Sequence, residues 1–335
     1  MFIKKISIDL GTNNVRVYVP KKGVVIDEPG VVAISKSDGK ILAVGLEAKD
    51  MMGRTPDSIS AENPLKEGVI ANYKTTEAML RYFINKALGG VHLFRPEVMV
   101  AVPAGITSTE RRAVIEATIA AGARTAHIIK APIVAAIGAD IPIGAASGYM
   151  VIDIGGGTAE IAVISLGGIV SWGSARIGGN KFDQSIIEHI RQKYNLALGT
   201  HTAEEIKKLV GSAMFIKKPL LSDTKGQDIF SGLPKIVTIS SDDITEALQH
   251  DLNLLLEAIK DVLRNTPPEL SADVMDKGII LTGGSALLRN LDELIVQSTG
   301  VPTYVAEEPM YCAVKGAGIA LENIESYKRS ILATK

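Results

Sequence analysis

The sequence predicts an α/β protein in which one lobe is used twice, with a ligand cleft between the copies. Three observations carry this. Ile6-Ser7-Ile8-Asp9-Leu10-Gly11-Thr12-Asn13-Asn14 and Met150-Val151-Ile152-Asp153-Ile154-Gly155-Gly156-Gly157-Thr158 each run from an apolar strand through a tight Gly turn into a second apolar strand. The two aspartates lie about one domain length apart, far beyond a solenoid repeat, so the reading is duplication. Strand and helix patterns alternate after each turn, as in an α/β lobe with a mixed sheet. A third turn, Gly278-Ile279-Ile280-Leu281-Thr282-Gly283-Gly284-Ser285-Ala286-Leu287-Leu288, follows another apolar strand and is expected to open a helix.

The chemistry of these turns is specific only in combination. Glycine lets the backbone approach a ligand closely and aim its N–H groups at an anion, and an aspartate at a strand end can hold a divalent cation through water. One such turn reads as an ordinary hairpin. Two facing one cleft would grip a nucleoside polyphosphate and its Mg²⁺ from both sides. Neither the Rossmann GxGxxG nor the Walker GxxxxGK[ST] pattern occurs.

Taken in order, strand-like runs at 3–8, 15–19, 24–26, 31–34 and 41–44 crowd the first fifty residues, with Gly, Asp and Lys turns between them. Met79, Leu80, Phe83, Ile84 and Ala87 then repeat at helical spacing over 75–88, and Gly89-Gly90 stops the run. A strand at 98–102 precedes a helix at 108–121, with Thr107 or Ser108 as its N-cap. The second lobe restarts at Tyr149 with hairpin strands to about Arg176, then helices at 182–194 and 203–212. A β-rich polar stretch, 228–240, leads into a long amphipathic helix, 243–264, closed by Pro267-Pro268.

Composition bounds the function classes. A chain of 335 residues fits two subdivided lobes, and 46% apolar with 22% charged residues argues against disorder. A net charge of −1 gives no field for nucleic acid. Cys312, the single cysteine, excludes an internal disulfide and reads as a small core residue. The most apolar stretch, 148–170, is interrupted by Asp153 and Glu160, so no membrane span is expected. The start enters a strand without a hydrophobic signal core, so secretion is not expected and a cytoplasmic location is.

Beyond these readings the sequence resembles the actin, sugar kinase and heat-shock ATPase superfamily and, within it, the MreB family of bacterial actins. The resemblance runs from end to end on IDLGTNN (8–14), EGVIANYKTTEAMLRYFI (67–84), VPAGITSTERRAV (102–114), MVIDIGGGTAEIAVISLGGIV (150–170), TAEEIKKLVGSA (202–213), NTPPEL (265–270), LTGGSALLRNLDEL (281–294) and AVKGAGIALE (313–322). It implies actin-like, ribonuclease-H-like duplicated lobes, each with a smaller inserted subdomain. The first large subdomain (IA) would take 1–32, 66–143 and 319–335, the small IB 33–65, the second large subdomain (IIA) 144–178 and 248–318, and the small IIB 179–247.

The resemblance further implies ATP and Mg²⁺ between the lobes. Asp9, Gly11, Thr12, Asn13 and Asn14 would hold phosphate from one side, and Asp153, Gly155, Gly156, Gly157 and Thr158 from the other. Asp9 and Asp153 would order Mg²⁺ through water. Gly283, Gly284, Ser285, Ala286 and Leu287 would lie against the adenosine. Glu204, Glu205 and Lys207 would reach ribose or adenine, although the cluster with Lys208 taken alone reads as a solvated helix face. The implied function is a polymerising ATP-binding protein: head-to-tail filaments, paired protofilaments, a peripheral place on the inner membrane face, and cell-wall elongation proteins as partners in setting rod shape. The membrane contact would be Leu93 and Phe94, beside the Gly89-Gly90 break. The alternative is a monomeric superfamily enzyme, a small-molecule kinase or a chaperone-type ATPase.

Departures from the family pattern bear on chemistry. At Ile129-Lys130-Ala131-Pro132 the residue before proline is normally a water-orienting glutamate, and here it is Ala131. Actin-type ATP hydrolysis is therefore expected to be slow, with Glu160 and Asp140 as substitute carboxylates. Asn13, Asn14, Asn180 (where aspartate is usual) and Ser285 are smaller departures that keep hydrogen-bonding capacity.

Overall fold

A computed structural model describes residues 4–66, 69–89 and 95–335. Two mixed sheets organise it. In the first the strand order is Ile331–Thr334, Thr125–Lys130, Glu97–Val102, Lys5–Leu10, Asn14–Val19, Gly23–Pro29; in the second it is Gly168–Ala175, Ala159–Ser165, Tyr149–Ile154, Ile279–Thr282, Thr303–Val305. Lys5–Leu10 and Tyr149–Ile154 occupy equivalent places. Each has an antiparallel meander on one side and a parallel neighbour on the other, and each ends in its Asp-Gly turn. The duplication read from the two turns is thus a duplication of sheet topology.

These central strands are buried on both faces, which is why they read as nearly continuous apolar runs. Each lobe has its own core, one around Ile6, Ile8, Phe83 and Val100, the other around Ile152, Phe182, Leu248 and Ile279. A third core joins them: Met99 and Ile129 from the first sheet and Val151 and Ala162 from the second meet across the helices Ala131–Gly138 and Cys312–Glu322. A smaller sheet (Val32–Ser35, Ile41–Val44, Ile59–Glu62) and another (Leu196–Ala197, Leu221–Asp228, Pro234–Ser240) complete the set beside a two-stranded ribbon.

Helix ends follow local chemistry. Thr107 caps Ser108–Ala120 in a reciprocal box with Glu110, and Ser240 caps Ser241–Arg264 in the same way with Asp243. Several strands have no counterpart in the sequence reading, among them Thr125–Lys130, Leu221–Asp228 and Ile331–Thr334. Leu221–Asp228 presents mostly polar residues on a largely exposed ribbon, and Ile331–Thr334 is a short edge. The third Gly turn does not open an α-helix. Gly284–Leu287 forms one 3₁₀ turn, and the α-helix waits until Leu291–Thr299. No helix among the described residues is long and apolar enough to cross a membrane.

The inter-lobe helices approach backbone to backbone. A Cβ on Gly316 would stand 1.8 Å from the Val134 carbonyl oxygen, and one on Gly138 1.9 Å from that of Cys312. Even alanine must therefore drive the helices apart and open the shared core. Gly316→Ala is expected to lower stability by about 3 kcal/mol, the upper end of ordinary overpacking costs, read as a lower denaturant midpoint.

Candidate functional site

Strand register builds the site floor. Asp9 pairs across to Arg16, and Arg16 to Asp27, on three adjacent strands. The guanidinium lies 3.7 Å from Asp9 and 3.3 Å from Asp27, and Asn14 donates to Asp27 at 2.6 Å. In the second lobe the equivalent row is Asp153, Glu160 and Ser174. The duplicated frame therefore places an arginine beside one strand-end aspartate and a glutamate beside the other.

The two turns meet. Gly11 and Gly155 begin tight turns, the second closed by the Gly155 N–H to the Thr158 carbonyl at 2.9 Å. Built on Gly156, a Cβ would lie 2.6 Å from the Asn13 side-chain amide, and on Gly157 2.7 Å from the Thr12 hydroxyl. Asn13 and Asn180 exchange two amide hydrogen bonds of 2.7 Å across the gap. Asn63 donates to the Thr12 carbonyl, tying the first turn to the small sheet's last strand.

The third turn braces the second. Ser285 donates its hydroxyl to the Gly155 carbonyl at 2.9 Å, Ala286 is buried in the lobe core, and Leu287 is exposed. Nearby, Lys207 is mostly buried and donates to the Gly179 carbonyl (2.9 Å) beside an ion pair with Asp183 (2.7 Å). The 11–14, 155–158 and 283–287 turns and Lys207 are thus brought to one place.

The electrostatics suit a cation. Burial pushes the Asp9 carboxyl up, opposed by Arg16, and pushes Asp153 up to about 7, helped by the like charge of Asp9 and opposed by the Thr282 hydroxyl at 2.9 Å. Two half-buried carboxyls with unfavourable charged forms fit a divalent ion, which would restore both charges. Without a cation the folded Asp153 holds a proton that the unfolded chain releases near pH 4. Stability is then lost as pH rises from about 4 to 7, by up to about 1.4 kcal/mol per unit. Asp153→Asn is expected to flatten this decline in the nucleotide-free protein, followed as thermal midpoint against pH.

Comparison with known proteins adds the lineage. Residues 3–329 match the MreB/Mbl protein family. The chain belongs to that family. It is 47% identical over 332 residues to the cell shape-determining protein Mbl of Bacillus cereus, covering 99% of this chain and 100% of that one. The structure is similar to MreB5 of Spiroplasma citri, solved bound to ADP and separately to AMPPNP, at TM-score 0.91 and 36% identity, covering 98% of this chain and 98–99% of those. A MamK double helical filament shares the fold at TM-score 0.80 and 20% identity, over 96% of this chain and 99% of that one.

Within this MreB/Mbl chain the remaining sequence candidates are placed as follows. Glu204 pairs with Lys208 at 2.7 Å; burial pushes its carboxyl up, but Lys208, Lys207 and Lys49 together hold it below its ordinary value. Glu205 faces solvent beside His201 on the other side of that helix, away from Lys207. Ala131 opens its helix directly after Lys130, whose ammonium has no ion pair among the described residues. Glu160 is 5% exposed, and each of its oxygens accepts a hydrogen bond, from the Ala104 N–H at 3.0 Å and the Ser174 hydroxyl at 2.8 Å. Asp140 lies past the far end of the eight-residue helix, roughly 12 Å from Ala131. Leu93 and Phe94 lie outside the described residues. Burial pushes the Cys312 thiol up to about 11, so it is a core group and no nucleophile.

Sequence reasoning missed Arg16, Asp27 and Thr282. The signal for the first two was present: a hairpin at 10–14 puts position 16 opposite 9, and the next hairpin puts 27 opposite 16. Thr282 was visible only as part of the third turn.

Proposed function

We propose that this chain is an ATP-binding bacterial actin homologue that polymerises head to tail and organises cell-wall synthesis from the inner face of the membrane. The observation that carries the nucleotide reading is the meeting of two topologically equivalent Asp-Gly turns over a pair of half-buried aspartates. Asn13, Thr12, Gly156 and Gly157 would offer N–H and hydroxyl groups to phosphate, and the third turn would take the adenosine. Asp9 and Asp153 would hold Mg²⁺, which when bound supplies neutralising charge at the phosphates. MreB5 bound to ADP and AMPPNP supports a nucleotide here, and the shape-determining relatives support the cellular role.

Hydrolysis is slow in this reading, because Ala131 carries no acceptor and Glu160 spends both oxygens on neighbours. Phosphoryl transfer depends largely on positioning and electrostatics, so binding does not need the missing carboxylate. The proposed division keeps 33–65 and 179–247 as small subdomains flanking the cleft. Heterologous contacts between copies give open polymers when their rotation does not close. Leu93 and Phe94 are the proposed membrane contact, and two side chains need the avidity of a filament for stable attachment. Light scattering with ATP and Mg²⁺ tests the reading: scattering should rise only above a critical concentration. A particle mass that stays monomeric at every concentration would instead favour a monomeric kinase or chaperone-type ATPase.

A further inference from the structure

The amides of Asn13 and Asn180 form a closed two-bond ring between the lobes, and this contact has a consequence for ligand entry. Each residue is fixed by its own lobe. The Asn13 carbonyl accepts the Gly30 N–H at 2.9 Å, and the Asn180 N–H donates to the Gly156 carbonyl at 2.8 Å. Only the side chains cross, at 2.7 Å in both directions, and they cross over Gly156, whose absent Cβ leaves the Asn13 amide its place. We propose that the Asn13–Asn180 pair is an autoinhibitory latch, which holds the two phosphate turns together in the nucleotide-free protein and parts before a nucleoside polyphosphate seats. The inference rests on the nucleotide reading of the cleft and adds a regulation of that site.

The chemistry selects asparagine at both positions. A primary amide both donates and accepts, so two of them satisfy one another without charge. A carboxylate at 180 would only accept and would lose the return bond, while an alanine at 13 would remove both. Phosphate oxygens only accept. The same two amides, once apart, present N–H donors to the ligand that parted them, so the latch is exchanged for contacts and not simply lost. Both groups are exposed, which keeps the contact weak enough for a ligand to open.

Association of a fluorescent ATP analogue, followed by stopped flow on the full chain, tests this. Asn13→Ala and Asn180→Ala should each speed association roughly five- to thirtyfold, the range expected for losing a pair of modest hydrogen bonds. The double variant should be no faster than either single, because one latch is broken once. Asn180→Asp, which keeps one acceptor, should fall between. In the nucleotide-free protein the single and double alanine variants should lower the thermal midpoint equally. Rates within twofold of the unaltered protein, or effects that multiply in the double variant, would overturn the latch. A parent protein that binds no nucleotide would instead remove the cleft reading on which the latch rests.

Discussion

Gly156→Val should weaken ATP binding by at least about a hundredfold, roughly 2.7 kcal/mol, while leaving the fold in place. The first added carbon already stands 2.6 Å from the Asn13 amide carbon, and the two further methyls would fill the gap between the phosphate turns. Asn13 is the end of a mobile side chain and can swing away, so the folded protein tolerates the change. A phosphate cannot share that space. Calorimetry against ATP and Mg²⁺ gives the comparison, with thermal midpoint as the control for folding. Affinity equal to that of the parent protein would show that the phosphates do not pass between these turns.

The second large effect concerns rate. Ala131→Glu is expected to accelerate phosphate release by about a hundredfold, the lower end of what a positioned base contributes, equivalent to roughly 2.7 kcal/mol of transition-state stabilisation. The position opens a helix directly after the strand that runs beside Glu97–Val102, and the alanine there offers no proton acceptor. Lys130, which has no ion pair among the described residues, would moderate the gain by pairing with the new carboxylate. Phosphate release would be followed for both forms under polymerising conditions, with filament lifetime in parallel. A fast parent rate that the substitution leaves unchanged would place the water-positioning group elsewhere.

What the sequence made legible follows from how local the determining physics is. The turns at 9–14 and 153–158 carry their signal in consecutive residues, and the capping box at Thr107 is decided within four. Ile41–Val44 has the same bounds in sequence and structure because apolar residues and turn residues delimit it on both sides. The fold class follows from the repeated turn, and the sheet orders agree with it. The misses are non-local. Arg16 acquires its role only when three strands fall into register, and Leu221–Asp228 owes its strand to pairing with Pro234–Ser240, not to apolar alternation. The third turn looked like a helix start because Gly-Gly-Ser-Ala-Leu-Leu is compatible with one, but the Ser285 hydroxyl is drawn to the Gly155 carbonyl and the chain makes a single 3₁₀ turn there. Glu205 adjoins Glu204 in the chain, and helical periodicity turns it to the solvent side, away from Lys207.

The central claim, that a nucleotide lies between the two equivalent turns of this MreB/Mbl chain, is tested most directly by solving its structure with AMPPNP and Mg²⁺. The outer phosphates should lie between residues 11–14 and 155–158, the cation beside Asp9 and Asp153 and the adenosine against 283–287, with the Asn13 and Asn180 amides no longer bonded to each other. Phosphates bound outside those turns, with the two turns still in contact, would contradict it.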